Sequence, residues 1–288
     1  MVRAKKSLGQ NFLNSKAVAR DIVRAAGLAP DETVLEIGPG KGFLTAELLS
    51  SGAHVVAVEK DERMIPILQE RFANEILSKQ LVLLEGDIVE FISGAPQGPA
   101  LTPAPKAGAW ETLSLPPRYK LVANIPYYIT GYLLRAFLGA QIKPEIMVLM
   151  VQKEVATRIV ARDKKESILS ISVKAYGAPH LVKKVPARYF TPAPRVDSAI
   201  LMIDNISVNN FNKYGGATSV FEKNFFEILK AGFAHKRKVL AGNLKPLFGE
   251  KTMEILKSTG IKENARAEDV SLDQWLGLTA LARNQQWG

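Results

Sequence analysis

Cysteine is absent from the 288 residues. That absence removes disulfides, thiolate metal sites and cysteine nucleophiles, and it fits a reducing compartment. Histidine is scarce: His54, His180 and His235 stand far apart, so no zinc-type cluster is expected and no metal is assigned. No apolar run approaches the ~20 residues that span a bilayer. The basic lead over residues 1–6 runs into no signal-type apolar block. The expectation is a cytoplasmic, monomeric protein with no membrane partner. What the chain has in surplus is positive charge, 38 Lys+Arg against 28 Asp+Glu for a net +10. A field of that sign favours a polyanion such as RNA, DNA or an acidic surface, although a merely soluble basic protein has the same count. Hydrophobic residues make up 47%, enough for the core of one or two domains.

Short apolar runs alternate with helical patterns through the first two thirds. Thr33-Val-Leu-Glu-Ile37 reads as a strand, Gly38-Pro-Gly-Lys-Gly42 as a turn, and 43–49 as a helix. Glycines let backbone approach a ligand and a helix start offers free N–H groups, yet such turns serve NAD, FAD and S-adenosylmethionine alike. Val55 to Val58 is a second strand ending in Glu59. That acid lies ~20 residues past the first glycine, where a carboxylate can take two ribose hydroxyls; capping the helix that follows is the plain alternative. Residues 64–76 read as one helix with Pro66 in its first turn. Leu81 to Leu84 is a third strand followed by Asp87 and Ile88, an acceptor and an apolar cover suited to an adenine, or simply a turn. Tyr119 to Ala123 and Ile146 to Val151 read as buried strands, and 152–161 as a helix. The segment 167–175 fits strand or helix equally. Strands are expected over 182–185 and 198–203.

Asn124-Ile125-Pro126-Tyr127 follows the fourth strand. An amide, a proline and an aromatic at a strand mouth are poor core material and good material for gripping a flat polar ring. Two further loops share this character. One is Ser7-Leu-Gly-Gln-Asn-Phe-Leu13, read as a lid or ligand lining. The other is Tyr189-Phe-Thr-Pro-Ala-Pro-Arg-Val-Asp197, where prolines can fix Phe190 at a set angle or leave it facing the core. Residues 93–117 carry six prolines among Gly, Ala and Ser and read as an exposed insertion. From about 206 the pattern turns all-helical, and 230–245 holds Lys236, Arg237 and Lys238 with no acid, a face suited to phosphate. Alternating strands and helices predict an α/β fold, a Rossmann-like parallel sheet, over 1–205, with a smaller all-helical C-terminal domain over 206–288. Gly38 to Gly42, Glu59, Asp87 and Asn124 each follow a strand, so they converge on the edge where such sheets bind ligands.

Four motifs, Ser7 to Leu13, Glu36-Ile-Gly-Pro-Gly-Lys-Gly42, Asn124 to Tyr127 and Phe190-Thr-Pro-Ala-Pro-Arg-Val-Asp-Ser198, occur in order. Together the chain resembles the ribosomal RNA adenine N6,N6-dimethyltransferase family, on its bacterial small-subunit side. The resemblance covers nearly the whole chain and departs from the family at the proline-rich insertion. It implies an S-adenosylmethionine-dependent methyltransferase fold. Asn11, Leu13, Gly38, Gly40, Glu59, Asp87, Ile88 and Asn124 would bind the cofactor. Asn124, Ile125, Pro126, Tyr127 and Phe190 would hold the target adenine. Lys236, Arg237 and Lys238 would help dock RNA. The implied substrate is 16S rRNA within the 30S subunit or its precursor, at two adjacent adenines of a hairpin loop near the 3′ end. A resistance-type methyltransferase of large-subunit RNA, a NAD oxidoreductase and a non-catalytic assembly factor are the competing readings.

Overall fold

The computed structural model describes residues 4–5, 8–93, 115–161, 163–215 and 219–284. Ser7 of the first motif and residues 94–114 of the expected insertion lie outside the described residues. Contacts divide the chain into two compact units. Among the described residues, the first holds those up to 156 together with 179–206, and the second holds 157–178 and those from 207 onward.

In chain order the elements are β1 (Phe12–Leu13), α1 (Lys16–Ala26), β2 (Thr33–Ile37), α2 (Phe43–Ser50) and β3 (His54–Glu59). There follow α3 (Ile65–Arg71), α4 (Ala73–Leu77), β4 (Leu81–Glu85), α5 (Ile88–Ser93), β5 (Lys120–Asn124), α6 (Thr130–Leu138), β6 (Ile146–Gln152) and α7 (Lys153–Val160). After α8 (Ile168–Lys174) come β7 (Ala178–Val185), β8 (Phe190–Thr191) and β9 (Ser198–Asp204). The long strands form one sheet in the order β4-β3-β2-β5-β6-β9-β7. The pairs from β4 to β6 are parallel, and β9 runs antiparallel to β6. Central strands are buried on both faces, which is why β5 and β6 read as unbroken apolar runs. The strand order reverses between β2 and β5, whose register pairs Ile37 with Ala123. The residues that follow, Gly38 and Asn124, therefore stand side by side at the switch point, where α/β sheets open a crevice.

Local chemistry sets the helix ends. Ser15 caps α1 by accepting from the Val18 N–H, and Gly27 closes it in the left-handed region. The helix expected over 64–76 is instead two, broken at Phe72 (φ −118°, ψ 33°) after a 3-10 turn over Glu62–Met64. The break sets the Phe72 ring under the glycine turn, so close that a Cβ on Gly42 would lie 2.5 Å from it. The ambiguous segment 167–175 is helical, begun by reciprocal Ser167–Ser170 capping bonds.

The second unit differs from a single boundary at 205/206, because residues 157–178 pack within it. Tyr176 meets the Phe211 ring at 5.1 Å and the Phe226 ring at 6.2 Å. The Asn210 side chain donates to the carbonyls of Lys174 and Ala175. The rest of the unit is α9 (Asn209–Tyr214), α10 (Ser219–Gly232), α11 (Leu240–Phe248), α12 (Thr252–Ser258) and α13 (Leu272–Asn284), with Trp275 fully buried against Phe233.

Candidate active site

The carboxyl ends of β2 to β5 open into one cavity of about 440 Å³. Asn11, Leu13, Gly38, Gly40, Glu59, Asp87, Ile88, Asn124, Ile125, Pro126 and Tyr127 all line it. Gly38 and Gly40 hold φ values of 69° and 55°, in the region that favours glycine. A Cβ on Gly40 would come within 2.9 Å of the Phe12 ring, while Gly38 has nothing nearer than the Asn124 carbonyl at 3.9 Å. Backbone is thus presented bare to the cavity.

Glu59 ends β3. One carboxylate oxygen accepts from the Gly40 N–H and the other from the Asp61 N–H, both at 2.8 Å. The turn that follows is capped not by Glu59 but by Asp61, whose side chain accepts from the Arg63 N–H. Burial pushes this carboxyl above its usual range, and the two backbone donors act against that shift. Asp87 accepts from the Val89 N–H at 2.9 Å and pairs with Lys60, so its carboxylate is held at the wall by two bonds. The Asn124 amide nitrogen donates to the Asn11 carbonyl at 3.2 Å. That leaves its Oδ1 with no donor among the described residues. Ile125 is buried beside it, and Pro126 holds an extended φ and ψ of −56° and 133°. The Tyr127 ring lines the cavity with its hydroxyl 2.6 Å from Ser198 Oγ, and burial pushes the phenol up.

Of the two readings of Phe190, a ring on the target base or a ring facing the core, the structure has the second: it is 3% exposed, joins the hydrophobic core and is not among the residues lining the cavity. Its strand β8 pairs antiparallel with β1, setting Phe190 opposite Leu13 and Thr191 opposite Phe12. A pairing between segments so far apart in sequence left no local pattern to read. Among the wall residues that went unread are Tyr128 and Lys60. Tyr128 is 67% exposed at the cavity wall, and an exposed ring beside a pocket is a signal that only the fold displays. Gln10 donates to the fully buried Asp61 carboxylate at 2.8 Å, which also takes bonds from the Arg63 guanidinium and backbone N–H.

In the second unit Lys236, Arg237 and Lys238 are exposed on the turn between α10 and α11, not on a helix face. Asn243 pins that turn by donating to the carbonyls of Gly232 and His235. Among the described residues no helix is long and apolar enough to cross a membrane.

A family model described as ribosomal RNA adenine dimethylase matches residues 1–283. A ribosomal RNA small subunit methyltransferase A of Dehalococcoides mccartyi is 39% identical over 277 residues, 95% of this chain and 87% of that protein. The protein of the same name from Thermosynechococcus vestitus is 38% identical over 295 aligned residues, 99% of each chain. A solved dimethyladenosine transferase from Plasmodium falciparum has a TM-score of 0.72 at 24% identity, covering 93% of this chain and 95% of its own. The 23S rRNA methyltransferase ErmE has a TM-score of 0.68 at 24% identity, covering 93% and 98%. These two structures speak to the fold alone. The sequence likeness runs through the cavity-lining motifs and on through the helical unit, and by it the chain belongs to the ribosomal RNA adenine dimethylase family.

Proposed function

We propose that this protein transfers methyl groups from S-adenosylmethionine to the N6 amines of adenine in small-subunit ribosomal RNA. Its targets are two adjacent adenines of the hairpin loop near the 3′ end of 16S rRNA, within the 30S subunit or its precursor. The observation that carries this reading is the single cavity joining the bare glycine turn, two strand-end carboxylates and an amide whose oxygen has no donor among the described residues. The cavity volume lies in the range of small-molecule sites.

The residues present fit the cofactor. Gly38 and Gly40 offer backbone to its methionine end, and Asn11 and Leu13 close over it from the N-terminal loop. Glu59, held rigid by two backbone donors, keeps lone pairs free for ribose hydroxyls. Asp87 accepts from the adenine amino group while Ile88 covers the ring. When bound, S-adenosylmethionine supplies a methyl already activated by its sulfonium.

The exocyclic amine of adenine is a weak nucleophile because its lone pair is delocalised into the ring. Asn124 Oδ1 and the Ile125 carbonyl accept its two N–H bonds, favouring a pyramidal nitrogen with the lone pair freed. Pro126 stiffens that backbone and offers no competing N–H. Tyr127 stacks on the base, worth about 1–3 kcal/mol, with its hydroxyl anchored on Ser198. The base leaves its stack to enter, as base-modifying enzymes require. Asn124 Oδ1 and the Ile125 carbonyl would hold the nitrogen in line for the methyl that the bound cofactor would supply, and the nitrogen's surplus proton would go to water. Positioning and electrostatics do the catalysis.

Transfer of labelled methyl from S-adenosylmethionine to small subunits lacking the modification tests the reading directly. Asn124→Ala is expected to lower that transfer by about 10³-fold or more, the scale of losing a preorganised group at the reacting atom. Cofactor affinity should change only a few-fold, through the lost Asn11 contact. Near-wild-type transfer by a folded Asn124→Ala protein refutes the assigned role.

A further inference from the structure

The second unit contains a cavity of its own, about 430 Å³ in volume. Ile168 and Leu169 at the start of α8, with Phe233 just past α10, give it apolar walls. The Phe233 ring is held from behind by buried Trp275, centroids 5.7 Å apart and planes 26° from parallel. The Glu166 N–H donates to the Glu268 carbonyl at 2.8 Å, and the Ser167–Ser170 bonds fix the first turn of α8. The walls are therefore formed before any ligand arrives.

The charge at its rim is unbalanced. Of the two carboxylates there, Glu166 is paired with Lys174 and Glu268 with Lys165. Arg158, Lys230 and Lys236 line the same cavity, and no carboxylate pairs with any of them among the described residues. An apolar slot beside three uncompensated cations suits a molecule with a flat face and an anionic end. In a protein proposed to bind RNA, that description fits one nucleotide lifted out of its stack.

We infer that this cavity is a second nucleotide subsite, in which Phe233 and Leu169 hold the base of an unstacked nucleotide of the RNA substrate while Arg158, Lys230 and Lys236 hold its phosphate. The inference rests on the RNA-methylating reading above. It differs from a general basic surface in requiring a base as well as a phosphate.

The test uses the full chain with S-adenosylmethionine present and the Ile and Leu methyl groups isotopically labelled. Adenosine 5′-monophosphate, ribose 5-phosphate and inorganic phosphate are titrated separately. The monophosphate should shift the Ile168 and Leu169 methyl signals, with an affinity at least several-fold above that of either base-free probe. Arg158→Ala and Lys230→Ala together should weaken monophosphate binding about tenfold. They should also weaken small-subunit binding while leaving cofactor affinity unchanged. Equal binding by inorganic phosphate, or wild-type subunit binding by the double variant, overturns the inference. The parent reading is checked separately by wild-type methyl transfer. If wild type transfers methyl and the double variant binds subunits normally, only the subsite fails.

Discussion

Glu36 stands on β2 two residues before the glycine turn, 1% exposed, with Thr45 the polar neighbour that acts on its carboxyl. Burial pushes its pKa from 4.5 up to about 8, and the neighbouring Glu59 carboxylate adds to the shift. Between those two values the folded protein keeps the proton that the unfolded chain has released. The unfolded state then binds fewer protons, so stability falls as pH rises, by about 1.4 kcal/mol per unit. Glu36→Gln cannot ionise in either state. It is expected to be more stable than wild type by a few kcal/mol at pH 8, with the gain vanishing near pH 4. Thermal unfolding across that range measures it, and a gain of the same size at both ends refutes a buried proton as the cause. Sequence alone showed Glu36 as a polar letter in an apolar strand and as the first residue of the glycine motif. Its buried proton is a property of the packing around it, above all of its burial, to which Glu59 one strand away adds.

The N-terminal loop and β8 behave as one element. β1 pairs with β8, Asn14 donates to Thr191, and Gln10 reaches the buried Asp61 beyond β3. Hydrogen bonds from Arg63 hold the Asp61 carboxyl well below its ordinary value of 3.8. Asp61's contribution is therefore fully present above that value and is lost only as pH falls below it. Gln10→Ala removes the loop's side of this latch without opening the core. The expected result is cofactor binding weakened by roughly tenfold, the size of one hydrogen bond to a charged group, with the melting temperature nearly unchanged. Titration of S-adenosylmethionine decides it; unaltered affinity means the loop is held by β1 alone. Phe190 tests the same element from the other side. As a core ring behind Leu13, it should accept Phe190→Leu for about 1.5 kcal/mol of stability, with methyl transfer within about threefold. A large loss of transfer at unchanged stability restores the base-covering role. Strand ends were legible in the sequence because an apolar run stopping at Gly38 or Asn124 is a local signal. The β1–β8 register, the break at Phe72 and the core position of Phe190 depend on partners far along the chain, and no local pattern encodes them.

At the scale of the whole molecule, the net charge of +10 is a property of both units, not of one tail. The sequence marks where the helical part begins. It does not mark that residues 157–178 belong with it, because that membership comes from Tyr176 and Asn210 contacts rather than from composition. RNA affinity built on such spread charge releases counterions in proportion to the phosphates neutralised, with a slope near −0.7 to −0.9 per contact. Lys236, Arg237 and Lys238 project from a turn whose backbone is pinned by Asn243, so their side chains can be removed without disturbing a helix. Replacing all three with alanine should reduce the magnitude of the slope of log affinity against log salt by about 2 to 3. Folding should be intact, and a weaker, still salt-dependent affinity should remain from the first unit's own cations. Binding of small subunits at several salt concentrations measures this. A parallel line displaced to weaker affinity, with the slope unchanged, means these side chains do not neutralise phosphates and the turn lies outside the RNA interface.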